Sequence, residues 1–500
     1  MMKKIIILGG GTSGWLTAAY LIHNLNIPIQ IQLIEDFSKG PIGVGEGTQP
    51  FTAKFLYECG LEPKTWMKPS NSSFKYGVEF IGWNNDPYFV DNDLLANNFL
   101  SPNMPISKYF MDKPHNTFSE WQPSYKLAKS NISPKLDPNT DINFGVGVDS
   151  YGAVHFSAYE IIDTIKNLIL NKINYINTKI VKTNRDESGI TEIIDINNQV
   201  YKADLYLDCS GFNSILLGQT LQTPFNSYNK WLLNDSAVTI PKSYTNPQQE
   251  CHPYTKATAM NSGWKWTIPT YLKIGNGYVY NSSFTSPDQA EQELRHSINE
   301  FLSPAKHLKM KIGSYDNIAV KNVVGIGLSA GFVEPLEATG ITFTTSIVKN
   351  LCKLLNITNN NWTDHSKSIL NQEFNEMCFE ILAFVYAHYY FSSKNDTPYW
   401  QEIRNSNLND LPTAALEILE YFYPKPKNFT FLTPRSMFTN MNWWSVLHAG
   451  GAYKDITNQI TPSEIKYFEY FINTQNFRIN ESIKLFGNHY DFLDNWYKSE

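Results

Sequence analysis

Lys4-Ile5-Ile6-Ile7-Leu8-Gly9-Gly10-Gly11-Thr12-Ser13-Gly14-Trp15 is the stretch that decides the fold. Ile5 to Leu8 reads as a buried strand, and Thr12 to Asn24 as the helix that follows it. Pro28 then breaks the chain, and Ile29 to Ile34 reads as a second strand, completing a βαβ unit. Within that unit Gly9-x-Gly11-x-x-Gly14 stands where a dinucleotide site needs glycine. Gly9 makes the tight turn, Gly11 lets a pyrophosphate approach the backbone, and Gly14 lets helix and strand pack closely. Free amides at the helix start hold the phosphates, so Gly10, Thr12 and Ser13 join the candidate contacts. Glu35 ends the second strand, 21 residues after Gly14, where its carboxylate can accept from ribose hydroxyls. These residues alone leave FAD and NAD both open.

Outward from this unit, 500 residues are too many for one core and predict two or three packed subdomains. Hydrophobic content of 42% with 18% charge is that of a soluble globular chain. A net charge of -6 without a dense Lys/Arg cluster excludes nucleic acid as a partner. The aromatic share of 14% suits a site that holds flat ligands. Five scattered cysteines without a CxxC pair indicate neither a metal site nor a disulfide framework. Lys3 and Lys4 before an apolar run imitate a signal peptide, but the three glycines end that run too early. No 18-residue apolar stretch occurs, so no membrane span and a cytoplasmic location are expected.

Six regions are expected. Residues 1–83 form the first part of a cofactor-binding domain, and 84–156 an irregular insertion near the substrate, rich in Asn, Pro and Ser. The cofactor domain resumes over 157–230. There Ser157-x-x-Glu160 is expected to form a capping box, with Ile161, Ile162, Ile165, Leu168 and Ile169 on one helical face. Residues 231–320 read as a mostly antiparallel sheet, 321–355 as the end of the cofactor domain, and 356–500 as helical.

Two later segments favour FAD. Asp204 to Phe212 (DLYLDCSGF) resembles the strand and turn that close the nucleotide domain in glutathione-reductase-type flavoproteins. Asn322 to Gly340 (NVVGIGLSAGFVEPLEATG) resembles their second flavin-contacting strand, turn and helix start. There is no second GxGxxG to hold a nicotinamide dinucleotide.

The sequence as a whole resembles the flavin-dependent tryptophan halogenase family, the two-component FADH2-dependent halogenases. Gly263-Trp264-Lys265-Trp266-Thr267-Ile268-Pro269 fits that family's WxWxIP signature, Gly9 to Trp15 its GGGTxGW start, and Val44-Gly45-Glu46-Gly47-Thr48 its flavin strap. Phe74-Lys75-Tyr76-Gly77 fits the segment with the reactive lysine, and Phe332 to Gly340 the segment with the essential glutamate, Glu337. His388-Tyr389 with Asp396 to Trp400 (DTPYW) fits a further pattern. The fold implied is α/β: a glutathione-reductase-type FAD-binding Rossmann domain, an inserted antiparallel β-sheet substrate region and a C-terminal helical region.

The resemblance implies that FADH2, dioxygen and a halide (chloride, bromide or iodide) yield hypohalous acid from a flavin hydroperoxide, and that an electron-rich, indole-type aromatic is halogenated. Lys75 would hydrogen-bond the hypohalous acid, or as free amine form a haloamine. Alternation of Phe74, Tyr76, Val78 and Phe80 with Lys75, Gly77 and Glu79 predicts that Lys75 points to the opposite face of one strand. Glu337 would remove the ring proton as general base; without the resemblance it reads as a first-turn acid favoured by the helix dipole. Amides of Thr339 and Gly340 would hold halide. Leu328 and Ile341 would pack on the flavin, with Val44, Gly45 and Gly47 in the strap and Ile180 near the adenine. Trp264 and Trp266 would separate flavin from substrate, and Asp208 and Glu46 read as structural hydrogen-bonders. Trp443 and Trp444 lie where the family places substrate contacts, with different identities, and Ala338 replaces a frequent serine. A separate NAD(P)H-dependent flavin reductase is the implied partner, and homo-oligomerisation is left open. The alternatives are a flavin-dependent aromatic monooxygenase, which inserts oxygen directly, and a flavin carrier without catalysis.

Overall fold

Ile5 to Leu8 are buried on both faces, as the central strand of a parallel sheet must be. The computed structural model describes residues 2–38, 45–92, 109, 118–119, 122–134, 152–424, 436–454 and 460–499. In it the strand Lys4–Leu8 pairs in parallel with Gln30–Glu35 on one side and Leu205–Asp208 on the other. Val323–Gly325 and Asn174–Asn177 extend the sheet in parallel, and Ala319–Val320 closes one edge antiparallel. The helix Thr12–Asn24 covers this sheet with buried Trp15, Leu16, Ala18, Ala19 and Leu21. Ligands of such sheets bind beyond the carboxyl ends of the strands. Gly9, Asp36, Cys209 and Ile326 each follow a strand end, and all four line one cavity.

A seven-stranded sheet stands beside it, in the order Lys306–Lys309, Ser236–Lys242, Ile274–Tyr280, Gly263–Pro269, Thr255–Met260, Gly77–Ile81 and Tyr88–Asp91. It is antiparallel except where Thr255–Met260 meets Gly77–Ile81. Tyr88–Asp91 and the helix Pro123–Lys129 fall in the stretch expected to be irregular. The strand is regular because Gly77–Ile81 supplies partners for its backbone groups. Much of the remaining insertion lies outside the described residues.

Two local expectations fail. The Ser157 side chain caps nothing; its amide donates to the Ser70 carbonyl, and Glu160 accepts from Asn71 instead. Nor is Lys75 within a strand. Ser73–Phe74 pairs with Val154–Phe156, and the Lys75 and Tyr76 amides donate to the carbonyls of Ala153 and Pro253 before Gly77–Ile81 begins. The alternation is broken there, so Lys75 and Val78 line the same cavity.

Past residue 339 the elements among the described residues are helices. In the helix Asp364–Tyr390 every residue from Glu380 to Tyr389 is buried, which marks a segment running through the interior rather than over it. That segment brings His388 to within 3.5 Å of Glu337 and Tyr389 into contact with Glu334.

Candidate active site

The cavity, about 870 Å³, runs from the glycine turn to Lys75 and Glu337. At its outer end, Gly9 adopts φ +119°, and a Cβ there would strike the Cys209 carbonyl. A Cβ at Gly14 would strike the Gly9 carbonyl, so helix and strand are as close as the glycine spacing demands. Around the Gly11 Cβ position there is nothing within 4 Å. That open space borders Thr12 and Ser13 at the helix start, which suits the pyrophosphate of a dinucleotide. Glu35 lines the same end, held by Tyr175 (2.6 Å), Lys166 (3.2 Å) and the Trp15 indole (3.2 Å). With about four acceptor positions per carboxylate, one remains for a ribose hydroxyl rather than two. Ile180, Gly45 and Gly47 line the walls, as do Leu328, Gly340 and Ile341. Val44 lies outside the described residues. This set of apolar walls, open glycine turn and carboxylate fits a flavin dinucleotide.

At the inner end Lys75 and Glu337 are both buried. The Lys75 Nζ donates to the Thr48 carbonyl at 3.0 Å. Burial pushes the amine below the usual lysine range, against the attraction of Glu337. Burial likewise pushes the Glu337 carboxyl above the usual carboxylate range, against the attraction of Lys75. Neither carboxyl oxygen has a hydrogen bond among the described residues. His388 Nε2 lies 3.5 Å from Oε1.

Glu337 is not a first-turn helical residue: the helix starts at Thr339. Glu337 (φ 65°, ψ 13°) and Ala338 (φ 56°, ψ 39°) are both left-handed. Such non-glycine residues cost about 1–3 kcal/mol each and persist only where the surroundings hold them. Here the Gln49 Nε2 donates to the Glu337 carbonyl at 2.7 Å, and Asn92 in turn donates to Gln49 Oε1 at 3.0 Å. With this left-handed pair in place, Glu337 lines the cavity.

Comparison with known proteins decides the family. The tryptophan halogenase family model matches residues 4–462. The chain belongs to the tryptophan halogenase family. It is 31% identical over 430 residues to tryptophan 7-halogenase KtzQ of Kutzneria sp. (strain 744), covering 80% of this chain and 78% of that one. It is 30% identical over 430 residues to tryptophan 7-halogenase RebH of Lentzea aerocolonigenes, covering 82% and 80%. In structure it superposes on Tar14, a tryptophan C-6 flavin-dependent halogenase from taromycin biosynthesis, with a TM-score of 0.87, 26% identity and 99% of each chain covered. The chain is accordingly an enzyme, a flavin-dependent halogenase, of a family that uses reduced flavin, dioxygen and a halide on aromatic substrates.

In this halogenase Trp264 and Trp266 both line the cavity, with ring centroids 6.1 Å apart. Trp266 can lie on the sheet because Gly277 has no side chain beneath it; a Cβ there would enter the ring. Trp264 is tied to a residue that sequence reading passed over. Glu334 Oε1 accepts from the Trp264 indole (2.6 Å), from Asn234 (3.1 Å) and from the Tyr389 hydroxyl. Tyr399 donates to Asn234 at 3.0 Å. Three of the quoted motifs contribute to this one network: the WxWxIP strand, FVEPLEATG, and His388-Tyr389 with DTPYW. A second carboxyl three residues before Glu337 was the available signal.

Asp208 accepts four hydrogen bonds, from Ser210 (amide and hydroxyl) and the Leu216 and Leu217 amides, as a turn organiser. Glu46 differs. It faces the cavity, where burial pushes its carboxyl up to about 7. Thr339 is buried with its hydroxyl 3.5 Å from the Glu334 carbonyl and does not line the cavity, whereas Gly340 does. Trp443 and Trp444 do not line it either. Trp443 stacks on Phe422 (4.7 Å) and meets Phe384 edge-on (4.9 Å), and Phe384 packs against His388 at 5.0 Å. Among the described residues no metal-ligating cluster occurs, and no helix is long and apolar enough to cross a membrane.

Proposed function

We propose that this chain uses FADH2 to halogenate an electron-rich, indole-type aromatic, with Lys75 and Glu337 managing hypohalous acid and protons. The observation that carries the reading is the burial of one amine and one carboxyl in a single cavity, each displaced toward the other's titration range. When bound, reduced flavin activates dioxygen so that a halide is oxidised to hypohalous acid. Lys75 as ammonium holds that acid by hydrogen bonding and fixes its position. As the ring attacks halogen, a C–X bond forms and the HO–X bond breaks. Hydroxide leaves and takes the Lys75 proton, giving water. Glu337 then removes the ring proton, and the C–H electron pair restores aromaticity. Glu337 has gained one proton and Lys75 has lost one. Because burial has drawn their affinities together, return of that proton is nearly balanced and resets both.

The flavin is held by Gly9 to Gly14 and the free position of Glu35, with Gly45, Gly47, Ile180, Leu328 and Ile341 around it. Amides of Thr339 and Gly340 take the halide. Trp264 and Trp266 keep the substrate from the flavin. Trp443 and Trp444 bound the substrate outside the flavin cavity. A separate NAD(P)H-dependent reductase supplies FADH2. The test is reconstitution: pure protein with oxidised FAD, NADH or NADPH, halide and an indole panel yields no halogenated product by mass spectrometry. An unrelated flavin reductase, or chemically reduced FAD under air, restores it. Efficient turnover with NADPH alone overturns the reading.

A further inference from the structure

His388 sits in a fixed pocket of rings. Phe80 stacks on it at 4.4 Å, Phe384 meets it edge-on at 5.0 Å, and Trp83 closes a third side at 6.3 Å. Its two nitrogens have different neighbours. Nδ1 is 2.8 Å from the Tyr88 hydroxyl, and Nε2 is 3.5 Å from Glu337 Oε1. Burial pushes the imidazole down to about 3, so the Glu337 contact is made by a neutral ring and is not an ion pair.

A neutral imidazole has one N–H, and its place follows from the neighbours. If Nδ1 carried the proton, the Nε2 lone pair would face a carboxylate. The buried Tyr88 hydroxyl would also lose its acceptor, since His388 is the one recorded. With the proton on Nε2, Tyr88 donates to Nδ1 and an N–H faces Glu337. Both conflicts vanish.

We propose that His388, locked in the Nε2–H tautomer by Tyr88, is the positioning residue of Glu337. At 3.5 Å its N–H faces Oε1 as an electrostatic contact outside hydrogen-bonding geometry, and leaves Oε2 to take the ring proton. The lock also sets the base's proton affinity. A protonated Glu337 would need an acceptor, and Tyr88 keeps His388 from becoming one, so the ionised form is favoured. This inference rests on the reading of Glu337 as the base. Other titratable groups near Glu337 are Lys75 between the two strands, Tyr88 on its strand, Glu46 across the cavity and Glu334 on the same loop. All but Tyr88 are unchanged in the variants below.

The experiment compares pH profiles of kcat for the wild type, His388→Leu, His388→Gln and Tyr88→Phe, using FADH2 supplied by a reductase. Gln can place an amide N–H near the position of Nε2, so it is the conservative rescue. His388→Leu is expected to lower kcat about tenfold, less than outright loss of the base, with KM for the aromatic unchanged. Its acid limb moves up by about one pH unit, as loss of an N–H dipole facing a buried carboxylate requires. His388→Gln returns the limb to near the wild-type position. Tyr88→Phe shifts it upward by less, since the freed ring can flip and accept from protonated Glu337. Nitrogen-15 chemical shifts of His388, assigned by its loss in His388→Leu, give a readout without turnover and show Nε2–H in the wild type.

An Nδ1–H signal overturns the proposal. So does an acid limb in His388→Leu that coincides with the wild type, or a His388→Gln no better than His388→Leu. FAD titration and thermal midpoints verify folding of each variant. Glu337→Gln separates the two readings. If it keeps the wild-type rate and acid limb, the base assignment fails and the positioning role with it. If it is slow while His388→Leu is not, only the positioning role fails.

Discussion

The two ends of the cavity are built from different materials. The outer end is mostly backbone: a glycine turn, the start of one helix, and space where side chains are missing. The turn at its centre comes from six consecutive residues, Gly9 to Gly14, with Glu35 and Cys209 bordering it. The inner end is mostly side chains that arrive from far apart in the chain: Lys75, Trp264, Glu334, Glu337 and His388. They are buried, so each charge depends on partners rather than on water. An end made of backbone can lose a side chain and keep its form, whereas an end made of buried polar groups cannot.

The largest break in that contrast is at Lys75. Lys75→Ala should reduce halogenation to background while FAD still binds and reduced flavin still consumes dioxygen, measured by product yield, flavin titration and oxygen uptake. Normal product yield from this variant ends the assignment. Glu337→Gln keeps volume and loses the base, and turnover should fall about 10²-fold or more. In the wild type, rate should fall with acidity well above the ordinary carboxylate range, because the raised carboxyl must be ionised to act. An unchanged rate in Glu337→Gln means that water removes the proton.

Smaller effects sharpen the contrast. Glu334→Gln turns three hydrogen bonds to a charged acceptor into bonds to a neutral one, so stability should drop by about 1–3 kcal/mol in chemical unfolding. Halogenated product per flavin oxidised should drop with it, because the tether on Trp264 weakens. A variant as stable and as coupled as the wild type shows that the network is incidental. Gly11→Ala is the opposite case. Gly11 has an extended backbone (φ -74°, ψ -173°) and empty space at its Cβ, so stability should hold or rise by about 0.4–1 kcal/mol. FAD affinity should weaken several-fold by titration, since the methyl occupies the phosphate's approach. Unchanged affinity moves the pyrophosphate away from Gly11.

This division also governs what could be read in advance. The opening βαβ unit was legible because its strand, turn and helix are adjacent in the chain; the helix over Thr12–Asn24 has the expected bounds. Lys75 was legible as a residue but not in its setting. Its backbone partners Ala153 and Pro253 are remote, so the alternation around it suggested one strand where there are two. The Ser157 cap failed for the same reason: Ser70 and Asn71 claim the groups that a local cap would use. Glu334 was invisible as a junction because its donors come from three other segments. Tyr88 was hidden in a stretch whose composition reads as irregular, although its strand is regular once Gly77–Ile81 lies beside it.

Anyone wishing to make this protein withstand heat would turn first to Glu337 and Ala338, where a non-glycine residue is held left-handed twice in succession. Glycine at 338 relieves that tension and is the obvious stabilising replacement. It also gives the loop new freedom next to the Glu337 carboxyl. The gain in heat tolerance would then be drawn from the same source that keeps the carboxyl aimed, and a hardier enzyme would be a slower one.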